Sequence, residues 1–431
     1  MSIMLPWTAM FTDGLPQTDG AMARLIAQEE ERNAATVNLI ASESYCPKAT
    51  VEAEASTLVN KNATGYPGNR DVSGCAVVNE IEILAQARAR ALFQTEHANV
   101  QAVSSTIANI AVLRALLKPG DRILSLEETA GGHHSHGAAY HVSGRDYAVT
   151  PFGPDEATGG IDLEAVRKLA KSVRPNILIA GSTAYPRAID FPGLQRVATE
   201  MGALFFADIA HVSGLVATGL HVNPCPTADV VTTSTHKTLC GPRTGGVILS
   251  KTRHAQALDD ALFPGMQGAP GAHIFAARAV LFDIVGRPPF KALMTRVVDN
   301  AAALAAALRA EGLPLYLGGT DTHMVVVDLR GRTVDGLAAE RRLETHGILA
   351  NRVGLTARPG DRGKAGIRIG AVAMTIRGLG AKEFRAIASA IARLLADVAG
   401  PRDDQIARDM AALAHAHPVP PAVLLQSNAY H

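Results

Sequence analysis

In the stretch VVTTSTHKT, residues 230–238, a lysine, Lys237, follows shortly after a short apolar strand. An amino group at the end of a buried strand is costly to desolvate. A Schiff base with an aldehyde cofactor is one chemical role that explains this placement. An ordinary surface lysine is the other interpretation of Lys237 taken alone, so the surrounding sequence decides between the two.

Apolar runs and helical patterns alternate on both sides of this stretch. Residues 107–117, 161–173 and 194–201 have apolar side chains at helical spacing. This alternation predicts an α/β fold whose mostly parallel sheet is covered by helices on both faces. The predicted strands are residues 100–103, 122–126, 176–180, 204–208, 230–234 and 246–250.

The sequence Gly286-Arg287-Pro288-Pro289 interrupts this pattern. A long Ala-rich helix at 291–309 follows it, and then shorter strands and helices up to a closing helix at 382–398. These elements predict a second, smaller α+β domain. We divide the chain into an N-terminal arm and helix (1–60), a large cofactor-binding domain (61–286), a small C-terminal domain (287–400) and a tail (401–431).

Composition limits the partners of the chain. Its 431 residues are 47% hydrophobic, and 41 basic against 40 acidic side chains leave a net charge of +1, which argues against nucleic acid or an anionic membrane as the main partner. Apolar runs stay far below the roughly 18 residues that span a bilayer, and residues 1–13 lack a secretory pattern. Four cysteines without metal spacing predict a cytoplasmic protein with no metal site.

Other residues strengthen the cofactor interpretation of Lys237. Asp208 ends a predicted strand and could pair with a protonated pyridine nitrogen, and His211 follows three residues later. The run Ser104-Ser105-Thr106 opens a helix and offers hydroxyl and backbone N–H groups to an anion. The run Gly131-Gly132-His133 adds an imidazole that could lie on a flat ring.

Each of these residues also has a structural interpretation. Asp208 could cap a helix, Ser104 could be a plain N-cap, and a lone histidine such as His133 is more often structural. No pair of them is diagnostic. Their order on alternating strands, taken together with Lys237, predicts a pyridoxal phosphate site.

Long motifs extend this pattern over residues 20–400, where the chain resembles the serine hydroxymethyltransferase family. That resemblance implies a fold-type-I pyridoxal phosphate enzyme with a seven-stranded large domain and a small C-terminal domain. It also implies a homodimer or homotetramer with active sites shared at the interface. The matching motifs are NLIASES (38–44), GYPGNR (65–70), ANVQ (98–101), LLKPGD (116–121), GGHHSHG (131–137), AYPR (184–187), DIAHVSGLVA (208–217), TTSTHKTLCGPRTGG (232–246) and GIRIG (366–370).

The resemblance also implies roles for individual residues. Lys237 would form the Schiff base, Asp208 would meet the pyridine nitrogen, and His133 would stack on the ring. Arg368 would bind the substrate carboxylate in a bidentate pair, with Ser42 beside it. Lys237, His133 and His211 are the implied catalytic residues. The remaining implied cofactor contacts are Ser104, Ser105, Thr183, His211 and His236, with Gly268 reaching the phosphate of the neighbouring subunit.

The chain departs from the family pattern at positions that serve folate. A missing glutamate, at Thr64, is the acid–base group of the folate-linked step in the family. Val353 replaces an asparagine that contacts the pterin, His134 replaces an apolar residue near it, and Cys240 replaces a basic residue. Asn62, Asp71 and Val72 stand where the family has tyrosines.

These departures lie at positions that the resemblance assigns to folate, whereas the residues that it assigns to amino-acid binding match the family. We therefore expect folate-independent retro-aldol cleavage or aldehyde transfer on β-hydroxy-α-amino acids of the serine, α-methylserine or threonine type, giving glycine or alanine. Tetrahydrofolate would be weakly used or unused. A folate-dependent hydroxymethyltransferase is the alternative, and transamination, racemisation or a binding role are further ones. The catalytic base stays open between His133, His211, Asp71 and water.

Overall fold

The computed structural model describes residues 7–243, 245–356, 365–396 and 404–421. Its strands are β1 (Val37–Asn38), β2 (Gly65–Tyr66), β3 (Asn69–Arg70), β4 (His97–Asn99), β5 (Arg122–Leu126), β6 (Ala148–Phe152), β7 (Ile177–Gly181), β8 (Leu204–Asp208), β9 (Val230–Ser234), β10 (Gly246–Ser250), β11 (Met324–Asp328), β12 (Ile348–Leu349), β13 (Asn351–Val353) and β14 (Gly366–Gly370).

The α-helices vary from single turns to more than six turns. They are α1 (Ala9–Thr12), α2 (Leu15–Thr18), α3 (Gly20–Ala35), α4 (Lys48–Glu54), α5 (Ala76–Phe93), α6 (Ser105–Leu116), α7 (Val142–Asp146), α8 (Leu163–Val173), α9 (Phe191–Glu200), α10 (Ser213–Ala217), α11 (Ala255–Leu262), α12 (Ala272–Val285), α13 (Pro288–Ala310), α14 (Gly336–Thr345), α15 (Val372–Ile376), α16 (Ala381–Leu394) and α17 (Asp404–Ala416). None of the described helices is both long and apolar enough to cross a membrane.

A seven-stranded sheet with the order β4-β10-β9-β8-β7-β5-β6 forms the large layer of the fold. The five strands β9, β8, β7, β5 and β6 run parallel, and β10 is antiparallel to both of its neighbours. Every residue of β7, β9 and β10 is buried, as expected for strands covered on both faces. The predicted α/β class with a mostly parallel sheet is confirmed.

The strand predicted at residues 100–103 is wrong, because pairing ends at Asn99. The Asn99 side chain accepts a hydrogen bond from the Gln101 backbone N–H at 2.8 Å, which turns the chain out of the sheet. The carbonyls of Val100 and Ala102 then bind the buried guanidinium of Arg278, and the Ala102 carbonyl also accepts from the Gly246 backbone N–H of β10 at 2.9 Å. Residues 100–102 are therefore buried without forming a strand, and Val103 is exposed.

A smaller antiparallel sheet, β11-β14-β13, lies in the C-terminal part of the chain, and β14 is its central strand. In its register Arg368 is opposite Asn351 on one side and Val326 on the other. The N-terminal strand β1 pairs with β12 in parallel, so residues 37–38 lie beside residues 348–349. The predicted closing helix corresponds to α16, but a further helix, α17, follows it within the segment predicted as a tail. The domain boundaries at 60, 286 and 400 stay predictions.

Arg377 joins the ends of α3 and α17. Its side chain is buried, and its three nitrogens donate to backbone carbonyls at the carboxyl ends of both helices, where carbonyls lack intrahelical partners. The acceptors are Asn33 (3.1 Å), Ala34 (3.0 Å), Thr36 (3.0 Å), Ala414 (2.5 Å) and His417 (2.6 Å). A single cation therefore connects the N-terminal helix to the C-terminal one.

Replacing this arginine tests that role. Arg377→Met leaves buried carbonyls without a donor, and we expect the free energy of unfolding to fall by about 3 kcal/mol. The melting temperature measured by differential scanning calorimetry should fall with it. Arg385→Met, at an exposed position of α16, is the matched control and should change little. Equal melting temperatures for the two variants would contradict the role of Arg377.

Candidate active site

Asp208 is the buried carboxylate at the centre of the site. It ends β8, where the carboxyl ends of parallel strands meet at one edge of the sheet. Its Oδ2 accepts hydrogen bonds from Asn109 Nδ2 at 2.8 Å and His136 Nε2 at 3.0 Å, and its Oδ1 accepts one from the Ala210 backbone N–H at 2.9 Å. Thr232 in turn donates to Asn109 Oδ1 at 2.6 Å. This network fixes the orientation of the carboxylate.

The network also controls the ionisation of Asp208. Burial opposes the charged form, but the hydrogen bond from His136 and the nearby positive charge of Lys237 outweigh it. The pKa of Asp208 is therefore lowered below its ordinary value. A carboxylate that stays ionised inside the protein can hold a proton on a pyridine nitrogen.

Sequence reasoning missed the residues that surround Asp208. His136 lies in the quoted motif GGHHSHG, and Asn109 is a polar residue within the apolar run IANIAVL. Thr232 belongs to TTS, a polar run inside a strand whose residues are all buried. Buried polar side chains need hydrogen-bond partners. Polar residues within otherwise apolar elements were therefore the sequence feature that could have identified these three.

Lys237 is buried at the point predicted, three residues after β9 ends. Burial lowers its pKa to about 8; the negative charge of Asp208 opposes this shift, and Arg368 and Arg243 add to it. An amine with this pKa is neutral in a large fraction of molecules near pH 8. It is therefore ready to attack an aldehyde.

His133 is connected to Asp208 through side chains. Its Nδ1 lies 2.7 Å from Ser135 Oγ, which accepts a hydrogen bond from Asn109 Nδ2 at 2.9 Å. The ring centroid of His133 lies 5.6 Å from that of His136, and polar atoms of His133, His136 and Asp208 all lie within 4.8 Å of one another. Burial and the proximity of His136 lower the pKa of His133 to about 3, so its imidazole is neutral.

Arg368 extends from the centre of the small sheet towards the large one. Its Nη1 donates to the carbonyl of Thr183 at 2.5 Å and lies 3.4 Å from His211 Nε2, and its Nε and Nη2 both donate to Asn351 Oδ1. Burial lowers the pKa of Arg368 to about 10. Within the described residues no carboxylate forms an ion pair with it. A buried cation of this kind suits a carboxylate ligand.

His211 lies between Arg368 and a second histidine that the sequence analysis did not select. The rings of His211 and His323 stack with centroids 5.6 Å apart, and His323 Nε2 lies 3.1 Å from the carbonyl of Ala41. Burial, together with the charges of Lys237 and Arg368, holds the pKa of His211 well below its ordinary value. Two neutral imidazoles therefore stand next to the buried cations.

The two predicted phosphate contacts, Ser104 and Ser105, lie at the start of α6. Ser104 is its N-cap, and the Oγ of Ser104 accepts from the Ile107 backbone N–H at 3.1 Å, which confirms the capping role. Ser105 is the first helical residue. Both side chains stand at the positive end of a twelve-residue helix, where an anion is stabilised.

Gly268 lies in an exposed loop that is attached close to Ser104. The neighbouring Gln267 accepts from the Val103 backbone N–H at 3.2 Å and donates to the Gln101 carbonyl at 2.8 Å. A side chain at Gly268 would meet no atom within 4 Å. Its predicted contact with a neighbouring subunit stays a prediction.

Ser42 and His236 flank the centre of the site. Ser42 follows Ala41, and a Cβ placed on Gly370 would lie 2.6 Å from the Cα of Ala41, so this segment packs against the end of β14. The backbone carbonyl of His236 accepts from Ser44 Oγ at 3.0 Å, and burial lowers the pKa of the His236 imidazole to about 3.

The positions predicted to differ from the family on the folate side lie in separate parts of the structure. Thr64 Oγ1 donates to Asn62 Oδ1 at 2.6 Å, in the hairpin formed by β2 and β3. The hydrogen bonds described for this hairpin reach Asn99, Gln101 and Asp259 but none of the residues around Lys237. The buried Cys240 lines a mostly apolar cavity of about 570 Å³. Of these positions, His134 is in direct ring contact with His133.

The family model described as serine hydroxymethyltransferase matches residues 15–391 of this chain. Members of that family depend on pyridoxal phosphate, and their fold is the fold-type-I arrangement of a large sheet domain and a smaller one. The match includes every residue discussed in this site. The family match names pyridoxal phosphate as the cofactor, so the arrangement of these residues can be compared with what that cofactor requires.

The residues present fit pyridoxal phosphate. Lys237 supplies a buried amine of lowered pKa, and Asp208 supplies a buried carboxylate that stays ionised. Two further buried polar atoms, Thr183 Oγ1 and His236 Nδ1, have no hydrogen-bond partner within the described part of the chain. Such atoms are rare unless a ligand satisfies them.

The lowered pKa of Lys237 predicts how the apoprotein takes up its cofactor. Because only the neutral amine attacks an aldehyde, the rate of Schiff-base formation should rise with pH up to about 8 and then level off. Stopped-flow absorbance after mixing apoprotein with pyridoxal phosphate measures this. Asp208 raises the lysine pKa, so Asp208→Asn should move the midpoint to lower pH. A midpoint above 10 would show that Lys237 is solvated.

Proposed function

Since the chain belongs to the serine hydroxymethyltransferase family, we propose that it cleaves β-hydroxy-α-amino acids, or transfers their aldehyde, without tetrahydrofolate. The substrates are of the serine, α-methylserine or threonine type, and the amino-acid product is glycine or alanine. One observation carries the proposal. The buried Arg368, the proposed carboxylate-binding residue, is held in place by the Thr183 carbonyl, whereas Thr64, which stands where the resemblance implies the folate-linked glutamate, donates its hydroxyl to Asn62.

Arg368 is the proposed carboxylate-binding residue. Asn351 holds two of its nitrogens through one oxygen, and the Thr183 carbonyl fixes a third. This keeps the guanidinium in one orientation before substrate arrives, which lowers the entropy lost on binding. Ser42 lies in the segment that packs against the end of β14, the strand that carries Arg368.

Pyridoxal phosphate, when bound, supplies the electron sink for the pair left when the Cα–Cβ bond breaks. Asp208 stays ionised and holds a proton at the pyridine nitrogen, and His136 and Asn109 prevent the carboxylate from rotating away. Lys237 binds the cofactor aldehyde through its Nζ. His133, which is connected to Asp208 through Ser135 and Asn109, is proposed to lie on the cofactor ring.

A base must take the proton from the β-hydroxyl group as the bond breaks. His133 and His211 are both neutral, because burial lowers their pKa values, so each has a ring nitrogen free to accept a proton. The same lowered pKa makes each a weaker base than an ordinary histidine. Asp71, in the hairpin, and a water molecule are the other candidates. The hydrogen bonds described for the hairpin reach none of the residues around Lys237 in its own chain, so we propose that Asp71 would act in the site of a partner subunit.

We also propose a homodimer or homotetramer with shared sites in the cytoplasm. The exposed loop at Gly268 supports the shared arrangement, since it is held beside the start of α6 through Gln267 while a Cβ at Gly268 would meet no atom within 4 Å. The hairpin carrying Thr64 and Asp71 lies near the same segment through Gln101. Both elements could complete the site of a neighbouring copy.

The deciding experiment measures aldehyde release from the holoprotein. L-Serine, α-methyl-L-serine and L-allo-threonine are each assayed with and without tetrahydrofolate. We expect equal rates under the two conditions, because the groups that serve folate are replaced. Lys237→Ala, which removes the Schiff-base amine, is the inactive control. Strict dependence on tetrahydrofolate with serine would overturn the proposal in favour of a hydroxymethyltransferase.

A second variant tests the carboxylate site. Arg368→Gln removes a charged, hydrogen-bonding group, and we expect glycine to bind roughly 10- to 100-fold more weakly. Glycine binding is followed by the change in cofactor absorbance, which also reports that the cofactor is still held. Arg385→Gln serves as the control at an exposed position. Unchanged glycine affinity in Arg368→Gln would exclude the assigned role.

A further inference from the structure

Four polar side chains form a cluster next to His133: Glu128, His134, Tyr140 and His141, here called the rim cluster. The rings of His133 and His134 lie 4.0 Å apart between centroids at an interplanar angle of 36°. His141 contacts His134 with centroids 5.3 Å apart. Tyr140 donates its hydroxyl proton to Glu128 Oε1 at 2.6 Å.

The rim cluster is electrostatically connected to the catalytic centre. Burial lowers the pKa of His134, Glu128 raises it, and the charges of His136 and Lys237 lower it further. His134 thus responds both to the lysine inside the site and to a carboxylate at the surface. We infer that its imidazole lies between the cofactor position and solvent.

The small sheet contributes to the same region. A Cβ on Gly354 would lie 3.7 Å from Thr129 Cγ2, and Thr356 Oγ1 donates to the Thr129 carbonyl at 3.5 Å. Thr129 directly follows Glu128, and Gly354 directly follows Val353. The position that lost its pterin-binding asparagine therefore lies near the rim cluster.

Polar atoms of His134 and Glu128 in the rim cluster are available for hydrogen bonds to a ligand. His134 is half-buried, and its ring nitrogens have no hydrogen-bond partner in the part of the chain that the structure describes. Glu128 is exposed, and its described hydrogen bond uses only one carboxylate oxygen. A carboxylate oxygen accepts hydrogen bonds, and a neutral imidazole accepts at one ring nitrogen and donates at the other. A hydroxyl group, which both donates and accepts, is therefore a complementary ligand.

We propose that the rim cluster binds the part of the substrate beyond Cβ and selects side chains that carry a hydroxyl group there over hydrocarbon side chains of the same shape. This inference rests on the proposed cleavage of β-hydroxy-α-amino acids. Its physical basis is that an apolar group would leave desolvated acceptors unpaired. The aldehyde released would accordingly be a hydroxyaldehyde.

A matched pair of substrates tests this selection. 4-Hydroxythreonine and 3-hydroxynorvaline differ by a terminal hydroxyl in place of a methyl group. Cleavage gives glycine from both, with glycolaldehyde from the first and propanal from the second. For the wild-type holoprotein we expect kcat/KM to favour 4-hydroxythreonine by roughly tenfold or more.

Three variants test which side chains produce the preference for 4-hydroxythreonine. His134→Leu and Glu128→Leu should each reduce it to within about threefold, because each removes an acceptor. Glu311→Leu, at an exposed position after α13, should leave it unchanged. A wild-type preference below threefold would overturn the inference, and so would a preference that both rim variants retain. In either case, aldehyde release from these substrates would leave the proposed function standing. Failure of the wild type to cleave these two substrates while it cleaves serine, α-methylserine or allo-threonine would also overturn the inference; failure with all five would instead overturn the proposed function.

Two readouts do not depend on turnover. Glycine has no Cβ, so its affinity, measured from cofactor absorbance, should be the same in the rim variants and the wild type; weaker binding would mean that the substitutions disturb the whole site. In the apoprotein, the NMR signal of His134, assigned from its loss in His134→Leu, should titrate at lower pH in Glu128→Gln. An unchanged midpoint would contradict the pairing of these two side chains.

Discussion

The buried carboxylate of Asp208 is the group on which the rest of the site depends. An isolated charge in the interior of a protein is strongly unfavourable, so Asp208 can stay ionised only with donors and a cation around it. Asn109, His136 and the backbone of Ala210 supply the donors, and Lys237 supplies the positive charge. The same network links Asp208 to His133 through Ser135 and so fixes two proposed cofactor contacts together.

A second constraint is the cation Arg368. It stands on the central strand of the small sheet but is held by the Thr183 carbonyl of the large domain region and by Asn351 of its own sheet. The two sheets must therefore keep a fixed relation for the site to exist. Pairing of β1 with β12 and the contacts of Arg377 with α3 and α17 connect the N-terminal segment to the same C-terminal region.

The site is asymmetric in its chemistry. Around Asp208, Lys237 and Arg368 the side chains are buried and their pKa values are shifted by burial and by each other, which is typical of a functional site. Towards solvent the rim cluster is polar, and the apolar Val353 lies near it. Under the proposed function, the protein would bind an amino acid in the first region and a small polar aldehyde in the second, and it would need no room for a pterin.

The sequence alone determined the α/β class, the alternation of strands and helices, and the placement of Asp208 and Lys237 at strand ends, because these follow from local periodicity and from the cost of burying charge. The motif resemblance selected the cofactor and most of the site residues. Only the tertiary structure identified His136, Asn109, Thr232 and His323 as partners, since each is brought to the site by elements far apart in the chain. It also showed that the pairing of β4 ends at Asn99, after which the buried Arg278 binds the carbonyls of Val100 and Ala102, and that Glu128 lies close enough to His134 to raise its pKa. Such pairings are decided by packing between elements, which no local pattern of residues encodes.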